Sequence, residues 1–168
     1  MSTIILGIDP GSRVTGFGLI SWHQGDMKAM AHGAIQLAEK AEFSLRMGEL
    51  SQQIQKILDE YRPHYVVVES IFLGKNTQSA FKLGHARGVI MAEAAKSGSL
   101  VCEYATRLVK KGITGTGAAE KDHVRQVLQV LLNLRQIHPI DASDALAMAY
   151  FHGLELQKKK LTKRMLEA

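Results

Sequence analysis

The sequence predicts an α/β fold in which a mixed β-sheet carries helices on its faces. Two observations predict it. Short apolar runs typical of buried strands alternate with longer segments whose apolar residues recur at helical spacing, and the order along the chain is three strands, then helix, strand, helix, strand and two further helices. With 168 residues, 46% of them hydrophobic and 22% charged, the chain has the size and composition of one folded domain.

Three strands are expected in the first 37 residues. Residues 4–9 form an apolar run that ends at Asp9, directly before a Pro-Gly turn, and this pattern indicates a buried strand. Residues 15–21 alternate small and apolar side chains, so we expect them to form a hairpin with the first strand. Residues 29–37 have a weaker strand pattern and complete this part of the sheet.

The middle of the chain alternates between helix and strand. Residues 44–60 place apolar side chains at helical spacing and predict a helix. Residues 65–69, YVVVE, are a β-branched apolar run closed by an acid, which predicts a central strand. After a loop over residues 71–79, an Ala-rich helix is expected over residues 80–97 and a short strand over residues 100–104.

The last third of the chain is expected to be less regular. Residues 105–117 mix basic side chains with three glycines and are predicted to be partly ordered and mobile. A helix follows over residues 118–134, and a final helix begins at Ile140 and continues to about Leu161. We therefore divide the chain into a folded domain over residues 1–156 and a basic tail over residues 157–168, which serves either as a DNA-binding arm or, as we favour, as a solubilising end.

Composition and charge narrow the possible function. The net charge of +5 favours a polyanionic partner, such as nucleic acid or an anionic membrane surface. Cys102 is the only cysteine, which excludes an internal disulfide and a multi-cysteine zinc site and fits a reducing compartment. The N-terminal apolar run stops after five residues, too few for a signal peptide or a membrane helix, so we expect a soluble cytoplasmic protein.

Four acids stand in apolar surroundings where charged side chains are uncommon. Asp9 and Glu69 close two buried strands, and Asp141 and Asp144 lie three residues apart at the start of a helix, on one face. If the four converge, their repulsion, about 4 kcal/mol for a pair ~4 Å apart at an effective dielectric of 20, favours a bound cation. Carboxylate oxygens select Mg²⁺ or Mn²⁺, and two such ions can assist hydrolysis of a phosphodiester.

Each acid also has a simpler explanation. Asp9 before Pro-Gly could only form a turn, and Glu69 could be a charge at the edge of the sheet. Asp141 could cap the last helix, and Asp144 could interact with the helix dipole. The four together favour one site over four independent accidents.

Four segments occur in order between residues 7 and 149: GIDPGSRVTGFGLI, VVVESIFLGKNTQSAFKLGHARG, EYATRLVKKGITGTGAAEKDHV and DASDALAMA. They resemble, in this order, the motifs of the RuvC family of Holliday junction resolvases. This resemblance implies a ribonuclease H-like nuclease domain with a five-stranded mixed sheet flanked by helices. It implies paired symmetric nicks at a four-way DNA junction, leaving 5′-phosphate and 3′-hydroxyl ends, a homodimer, and the branch-migration proteins RuvA and RuvB as partners.

The resemblance also implies roles for individual residues. Asp9, Glu69, Asp141 and Asp144 fall on the family's metal-binding catalytic positions, with two Mg²⁺ ions expected per site and Mn²⁺ able to substitute. Phe72 matches an aromatic that would stack on an unpaired base, although by composition it could equally cap the core. The residue pattern adds polar and basic candidates for DNA contact, of which Lys110 and Lys121 also match family lysines: Ser12, Arg13, Lys75, Asn76, Arg107, Lys110, Lys111 and Lys121. By residue pattern alone, the basic ones could form a solvated face.

Three other functions remain open at this stage. An actin-like or sugar-kinase-like ATPase also opens with a strand, an acid and a glycine turn, but it needs a second domain and a second phosphate loop. A non-catalytic DNA-binding protein could keep the fold, although four intact acids argue against it. A nuclease of the same fold could instead cut RNA–DNA hybrids.

Overall fold

The computed structural model describes residues 2–70 and 77–166. Within these residues one mixed sheet of five strands has the order β3-β2-β1-β4-β5. Strands β1, β2 and β3 pair antiparallel, while β4 pairs parallel with both β1 and β5. This confirms the predicted five-stranded mixed sheet. The strand bounds are β1 Thr3–Asp9, β2 Val14–His23, β3 Asp26–Gln36, β4 Tyr65–Glu69 and β5 Leu100–Tyr104.

Helices cover both faces of the sheet. Helices α1 and α2 pack on one face and α3, α4 and α5 on the other, and each face has its own apolar cluster. No helix in the described ranges is long and apolar enough to span a membrane. The helix bounds are α1 Phe43–Tyr61, α2 Thr77–Lys96, α3 Thr106–Thr114, α4 Lys121–Leu131 and α5 Asp141–Leu166.

The alternation of side chains along β1 and β4 decides which way their terminal acids point. Ile5 and Val67 belong to the apolar cluster on the α5 face. Because Asp9 and Glu69 follow them at even spacing, both carboxylates lie on the α5 face as well. The intervening side chains pack toward α1 and α2: Leu6, Ile8, Val66 and Val68.

Helix α5 approaches the sheet closely because glycines face it. A Cβ atom added to Gly7 would lie 2.9 Å from the backbone nitrogen of Ala149. One added to Gly16 would lie 2.6 Å from the carbonyl carbon of Asp141. Only a residue without a side chain allows such an approach, so these glycines set the start of α5 against the ends of β1 and β2.

The prediction of a mobile stretch over residues 105–117 is wrong. Most of it forms α3, and Val109 on this helix is buried in the α5-side cluster. Gly112, which suggested mobility, instead allows α3 to pack against the ring of Phe151, where a Cβ atom would overlap the ring. The helix ends at Gly115, whose φ of 83° is typical of a glycine C-cap.

The last two helices differ from prediction in length. Helix α4 covers Lys121–Leu131, which is shorter than the predicted span of 118–134. Helix α5 continues to Leu166, past the expected end near Leu161, so the basic segment is helical as far as the structure describes it. The division of the chain at residues 156 and 157 into a domain and a tail remains a prediction.

Candidate active site

Asp9 and Glu69 end neighbouring parallel strands at the same edge of the sheet. Ile8 pairs with Val68 in the register of β1 and β4, and the two acids are the next residues on each strand. Both side chains are half-buried. The sheet therefore holds the two carboxylates side by side on its α5 face.

The start of α5 brings the second pair of acids to this edge. Asp9 pairs with Gly16 across the β1–β2 hairpin, and Gly16 lies against the backbone of Asp141. Asp141 and Asp144 occupy the first turn of α5, and both are partly buried. Three segments that are far apart in the sequence thus contribute acids to one place.

The electrostatics of Asp9 reflect this convergence. Burial, followed by repulsion from Asp144 and Glu69, raises the pKa of the Asp9 carboxyl from 3.8 to about 7. Asp141 adds a smaller repulsion, and the Lys121 ammonium partly offsets the rise. A carboxyl with this pKa carries a proton for part of the time at neutral pH unless a cation lies beside it.

Glu69 shows the same effect more weakly. Burial and the Asp144 charge raise the pKa of Glu69, while Lys121 and Lys110 lower it. The hydroxyl of Thr106 donates a hydrogen bond to Oε1 of Glu69. The Glu69 carboxylate is therefore close enough to Asp144, Lys121 and Lys110 to interact with their charges.

Lys121 is the cation most closely associated with these acids. Its Nζ lies 2.5 Å from Oδ2 of Asp144, and this hydrogen bond raises the pKa of the lysine. Lys110 lies nearby, but its Nζ donates to the carbonyl oxygen of Ala119 at 2.8 Å and so holds the segment between α3 and α4. Both lysines contribute positive charge at the edge of the acidic cluster.

The donor chemistry of this cluster fits a hard divalent cation. Four carboxylates offer oxygen ligands, and their mutual repulsion with partial burial favours a bound positive charge. As the side chains lie, no three His, Cys, Asp or Glu groups among residues 2–70 and 77–166 are arranged around one ion position. The Lys121 ammonium and the Thr106 hydroxyl instead donate hydrogen bonds to the carboxylates of Asp144 and Glu69. The acidic side chains must therefore rotate locally before they can bind an ion.

The family described as crossover junction endodeoxyribonuclease RuvC matches residues 5–152. The chain belongs to this family. It is 53% identical to the RuvC of Bdellovibrio bacteriovorus over 98% of both chains. It is 45% identical to the RuvC of Legionella pneumophila strain Corby over 90% of this chain and 87% of that one.

Two solved structures of Thermus thermophilus RuvC have the same fold as this RuvC-family chain. One, at 25% identity, has a TM-score of 0.85 and covers 94% of this chain and 97% of its own. The other is a complex with a Holliday junction substrate; at 26% identity it has a TM-score of 0.87 and covers 94% and 96%. They confirm the ribonuclease H-like architecture expected from the sequence motifs.

The candidate DNA-contact residues of this RuvC-family chain divide into several groups. Arg107 and Lys111 are exposed on α3 and line a shallow groove with Leu108. Ser12 and Arg13 lie in the β1–β2 turn, and Arg13 pairs at 3.1 Å with Glu39, with both side chains exposed. Lys110 and Lys121 stand beside the acids, as described above. Three further candidates lie outside the described residues: Phe72, Lys75 and Asn76.

Two residues that contact Glu69 are not among the site residues predicted from the sequence. Arg87 on α2 donates from Nε to the backbone oxygen of Glu69 at 3.1 Å. Thr106, at the start of α3, contacts the Glu69 side chain. Thr106 stood in the segment taken to be mobile, and nothing in the local pattern marks either residue. Only the register of β4 with β5, which pairs Glu69 with Tyr104, could have indicated Thr106.

Proposed function

We propose that this chain is a structure-selective endonuclease that resolves four-way DNA junctions with two symmetric nicks. The observation that carries the proposal is the convergence of four carboxylates, from two strand ends and one helix start, in a chain matched by the RuvC family over residues 5–152. The T. thermophilus relative in complex with a Holliday junction supports this substrate.

The catalytic residues in this proposal are Asp9, Glu69, Asp141 and Asp144. They hold divalent cations, with Mg²⁺ as the natural ion, Mn²⁺ as a substitute and two ions per site. Bound there, the ions supply Lewis-acid activation of water and stabilisation of the leaving 3′ oxygen. Hydrolysis with this polarity leaves 5′-phosphate and 3′-hydroxyl ends.

The basic side chains have a separate task in this proposal. Lys121 and Lys110 place positive charge beside the acids, where it stabilises a phosphodiester whose negative charge increases during hydrolysis. Arg107 and Lys111, exposed on α3, bind the DNA backbone without reading its sequence. Ser12, Arg13, Lys75 and Asn76 are further contacts.

Two symmetric cuts need two active sites, which supports a homodimer with a two-fold axis. Membership of the RuvC family supports cooperation with the branch-migration proteins RuvA and RuvB. We place the protein in the cytoplasm, where a bacterial chromosome and a reducing environment for Cys102 coexist.

The experiment is metal-dependent cleavage of a synthetic four-way junction, beside a plain duplex and an RNA–DNA hybrid, with both product ends mapped. We expect symmetric nicks in the junction alone. Preferred cleavage of the hybrid would support the alternative nuclease. ATP hydrolysis without DNA cleavage would support an actin-like ATPase, and junction binding without cleavage in Mg²⁺ or Mn²⁺ a non-catalytic binding protein.

Asp9→Asn provides the test of the site. We expect the variant to bind the junction with wild-type affinity, because the change leaves the exposed basic side chains of α3, Arg107 and Lys111, intact. We expect it to lose cleavage by about 100-fold or more, measured as single-turnover nicking in Mg²⁺. Cleavage at the wild-type rate would remove Asp9 from the catalytic set.

Phe72→Ala tests the stacking role implied by the family resemblance. Stacking on an unpaired base contributes about 1–3 kcal/mol, and at the junction centre it would hold the strand in its cleavable geometry. We therefore expect cleavage to fall more than binding, with both measured on the same junction. An equal loss in cleavage rate and affinity would indicate a structural role.

A further inference from the structure

The backbone of Glu69 is held in place by neighbouring strands and by α2. Ser70 donates its backbone N–H to the carbonyl oxygen of Tyr104 at 2.9 Å, which continues the pairing of β4 with β5 beyond Glu69. Arg87 donates from Nε to the carbonyl oxygen of Glu69 at 3.1 Å and forms an ion pair with Glu103 on β5. The Arg87 side chain is only 17% exposed, so this link is largely shielded from water. The main chain at Glu69 therefore has little freedom.

The side chain of Glu69 still has three rotatable bonds. The side chain is only partly buried, and the acids Asp9 and Asp144 lie at the same edge of the sheet. A carboxylate in this position gains hydration and escapes repulsion by turning toward solvent. Attraction to the nearby Lys110 and Lys121 opposes that rotation, but it does not fix the direction of the carboxylate; a hydrogen bond to the carboxylate does.

Thr106 is placed to oppose it. The residue begins α3 two positions after Tyr104, which pairs with Glu69. The N-cap position of α3 belongs to Ala105, which makes no side-chain cap, so the Thr106 hydroxyl is not used in capping the helix. That hydroxyl donates to Oε1 of Glu69 and leaves Oε2 outside this bond.

We propose that Thr106 is a positioning residue for the active site, which holds the Glu69 carboxylate toward Asp9 and Asp144 through its hydroxyl. The proposal rests on the function proposed above, because it gives Glu69 a role in holding a divalent cation. Thr106 itself contacts no substrate in this scheme. Its effect on the reaction passes through Glu69.

The test compares variants that differ in the hydroxyl. Thr106→Val removes the hydroxyl but keeps the size and β-branching of the side chain, and Thr106→Ala removes all three. Thr106→Ser keeps the hydroxyl donor. Thr162→Val is the matched control, since Thr162 is an exposed helical threonine whose hydroxyl donates to the carbonyl oxygen of Lys158 at 3.1 Å. Mn²⁺ affinity is measured by calorimetry on DNA-free protein, together with kcat, junction affinity and thermal unfolding.

We expect Thr106→Val and Thr106→Ala each to weaken Mn²⁺ binding by about 10-fold, as is usual when a residue that orients a metal ligand is removed. The cleavage kcat at fixed metal should fall by a similar factor, while junction affinity remains unchanged. Thr106→Ser and Thr162→Val should stay within about twofold of wild type. In a Glu69→Gln background, Thr106→Val should have no further effect on Mn²⁺ affinity, because the carboxylate on which it acts is gone.

Several results would overturn the inference. One is wild-type Mn²⁺ affinity in both the Val and Ala variants, and another is a loss confined to the Val variant, which would be a packing effect. An unchanged effect of Thr106→Val in the Glu69→Gln background would also contradict it. If Glu69→Gln itself leaves Mn²⁺ affinity and cleavage at wild-type values, the proposed function of Glu69 fails. If Glu69→Gln lowers both but the Thr106 variants keep wild-type Mn²⁺ affinity, only the inference about Thr106 fails.

Discussion

At the scale of the residue, Asp9 shows how the fold generates an unusual carboxyl group. In the unfolded chain its pKa is ordinary, but folding buries the group and places Asp144, Glu69 and Asp141 around it. Lys121 relieves only part of this effect. The ionised Asp9 carboxylate thus destabilises the folded protein, and a cation bound beside it would relieve the repulsion.

This cost predicts a pH-dependent stability without divalent cations. The folded-state pKa of Asp9 is about 7 and the reference value is 3.8, so between these values the folded state binds more protons than the unfolded state. The free energy of unfolding therefore falls as the pH rises through this window and levels off above pH 7. In EDTA at pH 8, we expect Asp9→Asn to be more stable than wild type by about 2–4 kcal/mol.

Urea unfolding at pH 5 and pH 8 checks this prediction. Asp59→Asn, a change of an exposed acid on α1, is the control and should follow wild type at both pH values. Adding Mg²⁺ should stabilise wild type more than Asp9→Asn, because the folded wild type binds the ion more tightly. An Asp9→Asn variant less stable than wild type at pH 8 in EDTA would show that repulsion is not the dominant effect.

At the scale of the element, the site depends on the distance between α5 and the sheet. The first turn of α5 carries Asp141 and Asp144, and Gly16 on β2 lets that turn approach the hairpin. The sequence indicates the helix and its acids by local pattern. It does not indicate that a glycine on another element sets the position of these acids, because the contact between Gly16 and Asp141 joins residues about 125 positions apart.

Gly16→Ala should therefore damage both stability and activity. The new Cβ atom would lie 2.6 Å from the carbonyl carbon of Asp141, so α5 must move away from β2. We expect the free energy of unfolding to fall by about 3 kcal/mol or more, as in severe overpacking. Cleavage by the folded fraction should also fall, because the two acids on α5 move with the helix.

Gly48→Ala is the matched control for this change. Gly48 lies inside α1, and a Cβ atom there has nothing within 4 Å. We expect it to stabilise the protein by about 0.5–1 kcal/mol, since alanine favours the helix, and to leave cleavage unchanged. Chemical denaturation and single-turnover nicking measure both variants. Equal stability of Gly16→Ala and wild type would show that the helix does not need this close approach.

At the scale of the whole molecule, acids and cations are arranged at one edge of the sheet. The acidic cluster lies at the ends of β1 and β4, and exposed Arg107 and Lys111 lie on α3, which begins directly after the adjoining β5. The acidic side chains repel DNA, and the basic side chains attract it. In the function proposed above, a divalent cation at the acids and the basic helix beside them would together make this edge attractive to a phosphodiester.

The salt dependence of junction binding tests this charge arrangement. Each phosphate neutralised by a cation adds about 0.9 to the negative slope of log affinity against log salt. We expect the double variant Arg107→Ala, Lys111→Ala to reduce this slope by about 2, with little change in the cleavage rate of bound junction. Lys56→Ala, on α1 at the opposite face of the sheet, should keep the wild-type slope. A wild-type slope in the double variant would place the DNA elsewhere.

The sequence by itself determined the α/β class, the mixed sheet and the four acids as candidates. These depend on local patterns: apolar runs of strand length, helical periodicity, and charged residues in apolar surroundings. The two strands over residues 65–69 and 100–104 begin and end where the pattern places them. The catalytic roles of the acids remain predictions.

Only the tertiary structure decided what surrounds those acids. It showed that residues 106–114 form an ordered helix, because packing against Phe151 compensates for glycine. It also placed Lys121 against Asp144, and Thr106 and Arg87 around Glu69. Such contacts depend on strand register and on helix-to-sheet distance, which bring together segments that are distant in the sequence. No local pattern of residues predicts them.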